Sequence, residues 1–72
     1  MYKIMYKVTI KQSNDCLRKV NKIGLAFLVI DNYCSTHHCV YGLGNISTQN
    51  GKINVTVFDN YNTPITLIIE IV

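Results

Sequence analysis

Hydrophobic and polar positions alternate along the start of the chain. Between residues 2 and 12, every second residue is apolar or aromatic, namely Tyr2, Ile4, Tyr6, Val8 and Ile10. The residues between them are mostly polar, namely Lys3, Met5, Lys7, Thr9 and Lys11. Because successive side chains of a β-strand point to opposite faces, this period of two predicts a strand over 2–12 with one buried face.

A turn-forming Ser-Asn-Asp segment ends the alternation. Leu17, Val20 and Ile23 then recur near the spacing of a helix, and Gly24 stands where helices commonly end. We therefore predict a short helix over 14–23. The alternative is a second strand that pairs with the first strand through the Ser-Asn-Asp turn.

The following segment, Leu25–Ile30, is an unbroken run of six apolar residues. Because the run is shorter than a typical helix and ends at polar Asp31, we predict a central strand that is buried on both faces. The polar residues 34–38 are expected to form a loop, and residues 39–43 a further short strand.

The Asn50-Gly51 pair predicts a two-residue hairpin of type I′, because both residues tolerate the positive φ that this turn requires. Centring the turn on this pair sets the register of the two flanking strands. This register gives one apolar face, on which Thr48 pairs with Ile53, Ile46 with Val55 and Gly44 with Val57. On the other face, which is polar, Ser47 pairs with Asn54 and Asn45 with Thr56.

The last segment, 65–72, follows a turn that ends at Pro64 and is predicted to be a strand with apolar residues on both faces. A long apolar edge strand invites pairing with another chain. This strand is therefore expected to lie in the centre of the sheet or to form an interface between chains. The candidate residues for self-association are Ile65, Leu67, Ile68, Ile69 and Ile71.

Composition supports a sheet-rich domain. Val, Ile and Thr number 7, 10 and 6 among the 72 residues, whereas Ala and Glu occur once each. β-Branched side chains fit a pleated sheet better than a helix. The predicted fold is a single α+β domain over 1–72, with an antiparallel-dominated sheet of about five strands and one short helix. A small all-β barrel or sandwich is the alternative.

Charge is distributed unevenly along the chain, whose net charge is +3. Residues 1–22 contain six of the seven basic residues and a single acid, Asp15. Lysines on one strand face can contact phosphates, although Tyr2 and Tyr6 fall on the opposite face, and platforms for single-stranded nucleic acid place aromatics among the basic residues. A solvated face is the other interpretation. The candidate basic residues are Lys3, Lys7, Lys11, Arg18, Lys19 and Lys22.

One segment groups residues that can carry chemistry, namely Cys34, His37, His38 and Cys39. Zinc takes sulfur and nitrogen ligands, but this spacing lacks the paired knuckles of zinc ribbons, so no metal and no cofactor is expected. A zinc site that includes Cys16 and a Cys34–Cys39 disulfide are the alternatives. No enzymatic activity is expected, because the two members of a catalytic Cys–His pair usually come from distant segments.

These features predict a small non-enzymatic interaction protein that binds a macromolecular partner, principally a protein, or self-associates through strands, with a homodimer as the simplest assembly. A nucleic-acid-binding module and an oligomeric structural protein are the alternatives. Abundant Asn, Ile, Lys and Tyr have A/T-rich codons, which fits a viral or mobile-element accessory protein or an inhibitor of a host factor. No apolar run approaches the roughly 20 residues of a membrane span, and early lysines interrupt any signal-peptide core. A cytoplasmic location, within the host if viral, and no membrane contact are expected.

Overall fold

The computed structural model describes residues 4–72, which form five strands and one α-helix. The elements are β1 (Tyr6–Ile10), β2 (Asp15–Val20), α1 (Ile23–His37), β3 (Ile46–Gln49), β4 (Lys52–Phe58) and β5 (Pro64–Ile71). A short 3₁₀ turn, Leu43–Asn45, precedes β3. The predicted α+β class with an antiparallel sheet and a single helix is confirmed, and the all-β alternative is wrong. The observed first strand, β1, is shorter than the predicted strand over 2–12, and residues 2 and 3 lie outside the described part of the chain.

The strands lie in the order β2-β1-β5-β4-β3, and each neighbouring pair is antiparallel. The apolar strand β5 is therefore central, as one of the two predictions for 65–72 required. β1 and β4 occupy its two edges, so β5 has no free edge for the strand-to-strand self-association expected of Ile65, Leu67, Ile68, Ile69 and Ile71.

Helix α1 packs on one face of the sheet and closes the hydrophobic core. Ala26, Ile30 and Cys34 are the buried residues of the helix, and their spacing of four places them on one side of it. The sheet contributes fully buried side chains from its three central strands, namely Val8, Val55, Val57, Leu67 and Ile69. The pairs Val8–Ile69 and Val55–Leu67 place these residues on one face of the sheet, the face that packs against the helix.

The predicted helix over 14–23 is wrong in its position, because residues 15–20 form β2 and pair with β1. The register explains the misleading spacing. Val8 pairs with Arg18 whereas Thr9 pairs with Cys16, so Leu17 is an extra residue in a β-bulge. The extra residue breaks the alternation of β2. The alternative of a second strand, joined to the first by a turn, is the arrangement observed.

The predicted central strand Leu25–Ile30 is also wrong, because this run forms the first half of α1. The helix continues through the polar segment that was expected to be a loop and ends at His37. Only the side of the helix that carries Ala26, Ile30 and Cys34 is buried, so most polar residues of its second half face solvent. The helix is therefore longer than the apolar run. The strand expected at 39–43 is reduced to a single bridge between Val40 and Phe58.

The predicted hairpin at Asn50-Gly51 is confirmed. Both turn residues have positive φ, 54° and 75°. The register from Ile46 to Gln49 is the predicted one: Ile46 pairs with Val55, Ser47 with Asn54 and Thr48 with Ile53. The pairs predicted for Gly44 and Asn45 do not form, because the 3₁₀ turn removes both residues from the ladder.

Candidate functional site

The cysteine and histidine residues near the end of α1 belong to the termination of the helix. His38 has the left-handed conformation with φ 55°, and the N–H of Cys39 donates to the carbonyl oxygen of Cys34 at 2.8 Å. This bond pattern brings the residues at its two ends together as an apolar contact. Cys34 and Cys39 are accordingly buried in the core, whereas His37 and His38 are exposed.

The structure does not gather Cys34, His37, His38 and Cys39 into one ligand set. Within residues 4–72, no group of three or more His, Cys, Asp or Glu side chains is placed to hold a metal ion. The two thiols point into the core and the histidines point away from it, and the ring of His37 packs on the ring of Tyr33 at a centroid distance of 4.3 Å. Cys16 is exposed on β2, in a different element.

The protonation of the two buried thiols argues against a nucleophilic role. Burial, followed by the neighbouring Cys39 and Asp31, raises the pKa of Cys34 to about 11. Burial and the charge of Asp59 also raise the pKa of Cys39. Because the thiolate is the reactive form of cysteine, the raised pKa lowers the reactivity of both thiols near neutral pH.

The six basic residues proposed as a binding face do not form one surface. Lys7 pairs with Lys19 on one side and with Glu70 on the other, so these three lie on the sheet face away from the helix. Oε2 of Glu70 also forms an ion pair with Nζ of Lys52 at 3.4 Å. Arg18 pairs with Val8 and therefore lies on the helix side, and Lys11 and Lys22 lie in the connections that flank β2. Lys3 is outside the described residues.

The described chain has a groove between β2 and the flank of α1. It encloses about 250 Å³ and is lined by Arg18, Val20, Leu25, Leu28, Val29 and Asn32. A second depression of about 270 Å³ shares Arg18, Val20 and Leu25 with the first. It extends the groove toward Met5, Lys19 and Asn21. The two depressions share these three residues and are together called the β2–α1 groove below.

The apolar lining of the β2–α1 groove is open to solvent. Leu25 is 40% exposed and Leu28 51% exposed. The reason is geometric: a helix on a single sheet buries one side, here Ala26, Ile30 and Cys34, and the apolar residues between them remain on its flank. Exposed apolar surface of this kind, bordered by charge, is typical of an interaction site.

Further apolar residues extend the exposed surface around the groove. Nine large hydrophobic side chains are exposed in the described part of the chain, and six belong to the end of the sheet where β1 begins and β2 and β5 end, or to the start of α1. The N–H of Val72 donates to the carbonyl oxygen of Met5 at 3.0 Å and holds the two chain segments together there. The six residues are Ile4, Ile23, Leu25, Leu28, Ile71 and Val72.

The groove adjoins an unpaired sheet edge. β2 pairs with β1, and no strand within residues 4–72 covers its other edge. The backbone N–H and C=O groups on such an edge are available to another chain.

The sequence indicated Arg18 and Lys19 as candidates for binding but did not indicate Val20, Leu25 and Leu28. The missed signal was six consecutive apolar residues, more than one side of a helix on a sheet can bury.

Comparisons of the chain with protein-family models, with curated proteins and with solved structures found no match. Among residues 4–72, no helix combines the length and the apolar content that crossing a membrane requires.

Proposed function

We propose that this protein is a non-enzymatic binding protein that docks a partner protein against the β2–α1 groove. The observation that carries the proposal is the position of exposed Leu25 and Leu28 beside the unpaired edge of β2. The groove offers apolar contact area, and the strand edge offers backbone hydrogen bonds. One partner chain that lies along β2 can use both the apolar contact and the backbone hydrogen bonds.

The acidic residues support a role in binding rather than in catalysis, because three of the four have structural partners. The carboxylate of Asp31 accepts a hydrogen bond from the Tyr41 hydroxyl at 2.7 Å. One oxygen of Asp59 accepts the N–H groups of Tyr61 and Thr63 at 2.8 and 2.9 Å and shapes the turn before β5. Glu70 pairs with Lys52. These contacts give the three carboxylates structural roles.

The nucleic-acid alternative has weaker support. Phosphate binding draws on lysines and arginines that present one positive surface. Here Glu70 lies beside Lys7 and partly neutralises the positive charge of the paired Lys7 and Lys19. Arg18 projects from the opposite face of the sheet. The structural alternative, self-association through β5, lacks a free edge on that strand.

The test measures how much partner protein is captured by three immobilised forms of this protein from extracts of its source cells and of host cells. The forms are the wild type, Leu28→Asp in the groove, and Ser47→Asp on the exposed face of β3 as a matched control. We expect the wild type and Ser47→Asp to retain the same partner protein, and Leu28→Asp to bind it at least about tenfold more weakly, because a charge in an apolar contact is desolvated without compensation. Circular dichroism checks that all three forms are folded.

Two results would contradict the proposal. One is a partner that Leu28→Asp retains as well as the wild type does. The other is the absence of any stoichiometric protein partner of the wild type.

A further inference from the structure

The β2–α1 groove and the free edge of β2 share residues. Arg18 and Val20 belong to β2 and also line the groove. A chain that follows the free edge of β2 would therefore lie directly beside Leu25 and Leu28. β2 has six residues with the bulge at Leu17, so its regular edge beyond the bulge, from Arg18 to Val20, is about 10 Å long.

We propose that the occupant of the groove is an extended acidic segment of the partner, which adds to the sheet as a strand next to β2. This inference rests on the proposed binding function and specifies its ligand. The segment places apolar side chains in the groove, on the helix side of the sheet. It places acidic side chains on the opposite face, next to Lys19. Strand addition of this kind takes affinity from main-chain hydrogen bonds and specificity from alternate side chains.

The charges across the sheet indicate why the added strand is acidic. Lys19 of β2 pairs with Lys7 of β1, and Lys7 pairs with Glu70 of β5, so the row reads Lys-Lys-Glu from the edge inward. Like charges at directly opposite positions repel, and opposite charges attract. Lys7 has an acid on its inner side, whereas Lys19 has none within the sheet. An acid on the added strand gives Lys19 an opposite charge on its outer side, as Glu70, which is shared with Lys52, gives Lys7 on its inner side.

The rest of the neighbourhood has the same sign. Arg18 stands on the groove side of β2, and Lys22 follows the strand immediately before α1. Asp15, at the far end of β2, is the acid in this part of the chain. Charged residues on an edge strand discourage pairing with neutral strands and strands of like charge, so Lys19 selects an acidic residue beside it on the added strand.

A second copy of this chain is a poor occupant for the same reason. If two β2 edges paired antiparallel along their regular part, Arg18–Val20, they would bring Arg18 and Lys19 of one chain near the same basic residues of the other, and the register that places Asp15 opposite Lys19 is centred on the bulge at Leu17. The other outer strand, β3, has the sequence Ile-Ser-Thr-Gln and offers no acid to Lys19. The charges therefore favour a different protein.

The experiment uses the whole protein and three pools of synthetic peptides of about ten residues, long enough to span β2. In the first pool, Val, Ile or Leu alternates with Asp or Glu. In the second, Lys replaces the acids. The third repeats the first with methylated backbone nitrogens, which removes the hydrogen-bond donors. Binding is measured by fluorescence anisotropy, and amide chemical shifts of the labelled protein locate the bound peptide.

We expect the acidic pool to bind at least about tenfold more tightly than the lysine pool, with shift changes confined to β2 and the first turns of α1. Methylation abolishes binding. Lys19→Glu reverses the preference between the acidic and lysine pools. Lys52→Glu changes the net charge equally but lies on β4, and it leaves the preference unchanged.

Equal binding of the acidic and lysine pools, undiminished binding of the methylated pool, shift changes outside β2 and α1, or a wild type that dimerises through β2 would each overturn the inference. Its failure differs from failure of the proposed function. If no peptide binds while capture of a partner still depends on Leu28, strand addition is wrong and groove docking stands. If capture is also insensitive to Leu28→Asp, both are wrong.

Discussion

The N–H of Cys39 donates a hydrogen bond to the carbonyl oxygen of Cys34 at 2.8 Å, and this bond ends helix α1 while bringing both thiols into the core. His38, between the helix and Cys39, has the left-handed backbone conformation that such a termination requires. The segment that contains these cysteines therefore has a structural role in ending the helix.

Thiol reactivity provides the first test. We expect Ellman's reagent to modify Cys16 rapidly near neutral pH and to leave Cys34 and Cys39 unmodified, because Cys16 is exposed and burial raises the pKa of Cys34 to about 11. In denaturant all three cysteines react. In the control, Cys16→Ser, no thiol of the native protein reacts quickly. Fast labelling of that variant would show that the two buried thiols are accessible.

The contact between Tyr41 and Asp31 predicts a dependence of stability on alkaline pH. Burial, followed by the hydrogen bond to Asp31, raises the pKa of the Tyr41 hydroxyl to about 12. An unfolded tyrosine titrates near pH 10. The folded state therefore favours the protonated hydroxyl, and this contribution to stability is complete below about pH 10 and is lost as the pH rises through about 12.

The variant Tyr41→Phe tests this contact. We expect it to lower the free energy of unfolding by up to about 1 kcal/mol at neutral pH, since an exposed hydrogen bond to a carboxylate is lost. The further loss of stability between about pH 10 and 12 should be smaller in the variant than in the wild type. Urea denaturation at several pH values measures both effects. Parallel pH profiles for the two proteins would contradict the assignment.

The two sides of α1 are distinguished by a matched pair of substitutions. Ile30 is fully buried, so Ile30→Ala should lower the free energy of unfolding by about 2–5 kcal/mol. Leu28 is half-exposed, so Leu28→Ala should cost less than about 1 kcal/mol while weakening partner binding. Denaturant titration measures both. If Ile30→Ala does not fold, Ile30→Val, expected to cost about 0.5–1.5 kcal/mol, preserves the comparison. Equal costs at the two positions would contradict the packing of α1.

Two glycines should respond in opposite directions to replacement by alanine. Gly51 has φ 75° in the hairpin turn, where an added Cβ meets no atom within 4 Å, so Gly51→Ala destabilises through backbone strain alone, by about 1–2 kcal/mol. Gly24 lies in the first turn of α1 with equally open space, so Gly24→Ala stabilises by about 0.5 kcal/mol. Thermal unfolding of both variants tests the pair. A shift of the same sign in both would contradict the turn or the position of the helix.

The sequence by itself determined the features that depend on neighbouring residues. The alternation in β1 identified a strand, and Asn50-Gly51 set the turn and the register from Ile46 to Gln49, because positive φ at both positions leaves few other turns. The excess of apolar residues in 65–72 indicated a strand that lies in the centre of the sheet or at an interface between chains, and β5 is central. Each of these signals is contained within a short stretch of chain.

Tertiary structure decided the segment from residue 14 to residue 43. The bulge at Leu17 exists only in the pairing of β2 with β1, and it produced a helix-like spacing in a strand. The run Leu25–Ile30 is helical because α1 covers the core with one side, which a contiguous apolar run does not specify. The β2–α1 groove follows from both, since its walls are the edge of β2 and the unburied flank of α1. Long-range pairing and packing supply these distinctions, and local preference for either conformation was too weak to do so.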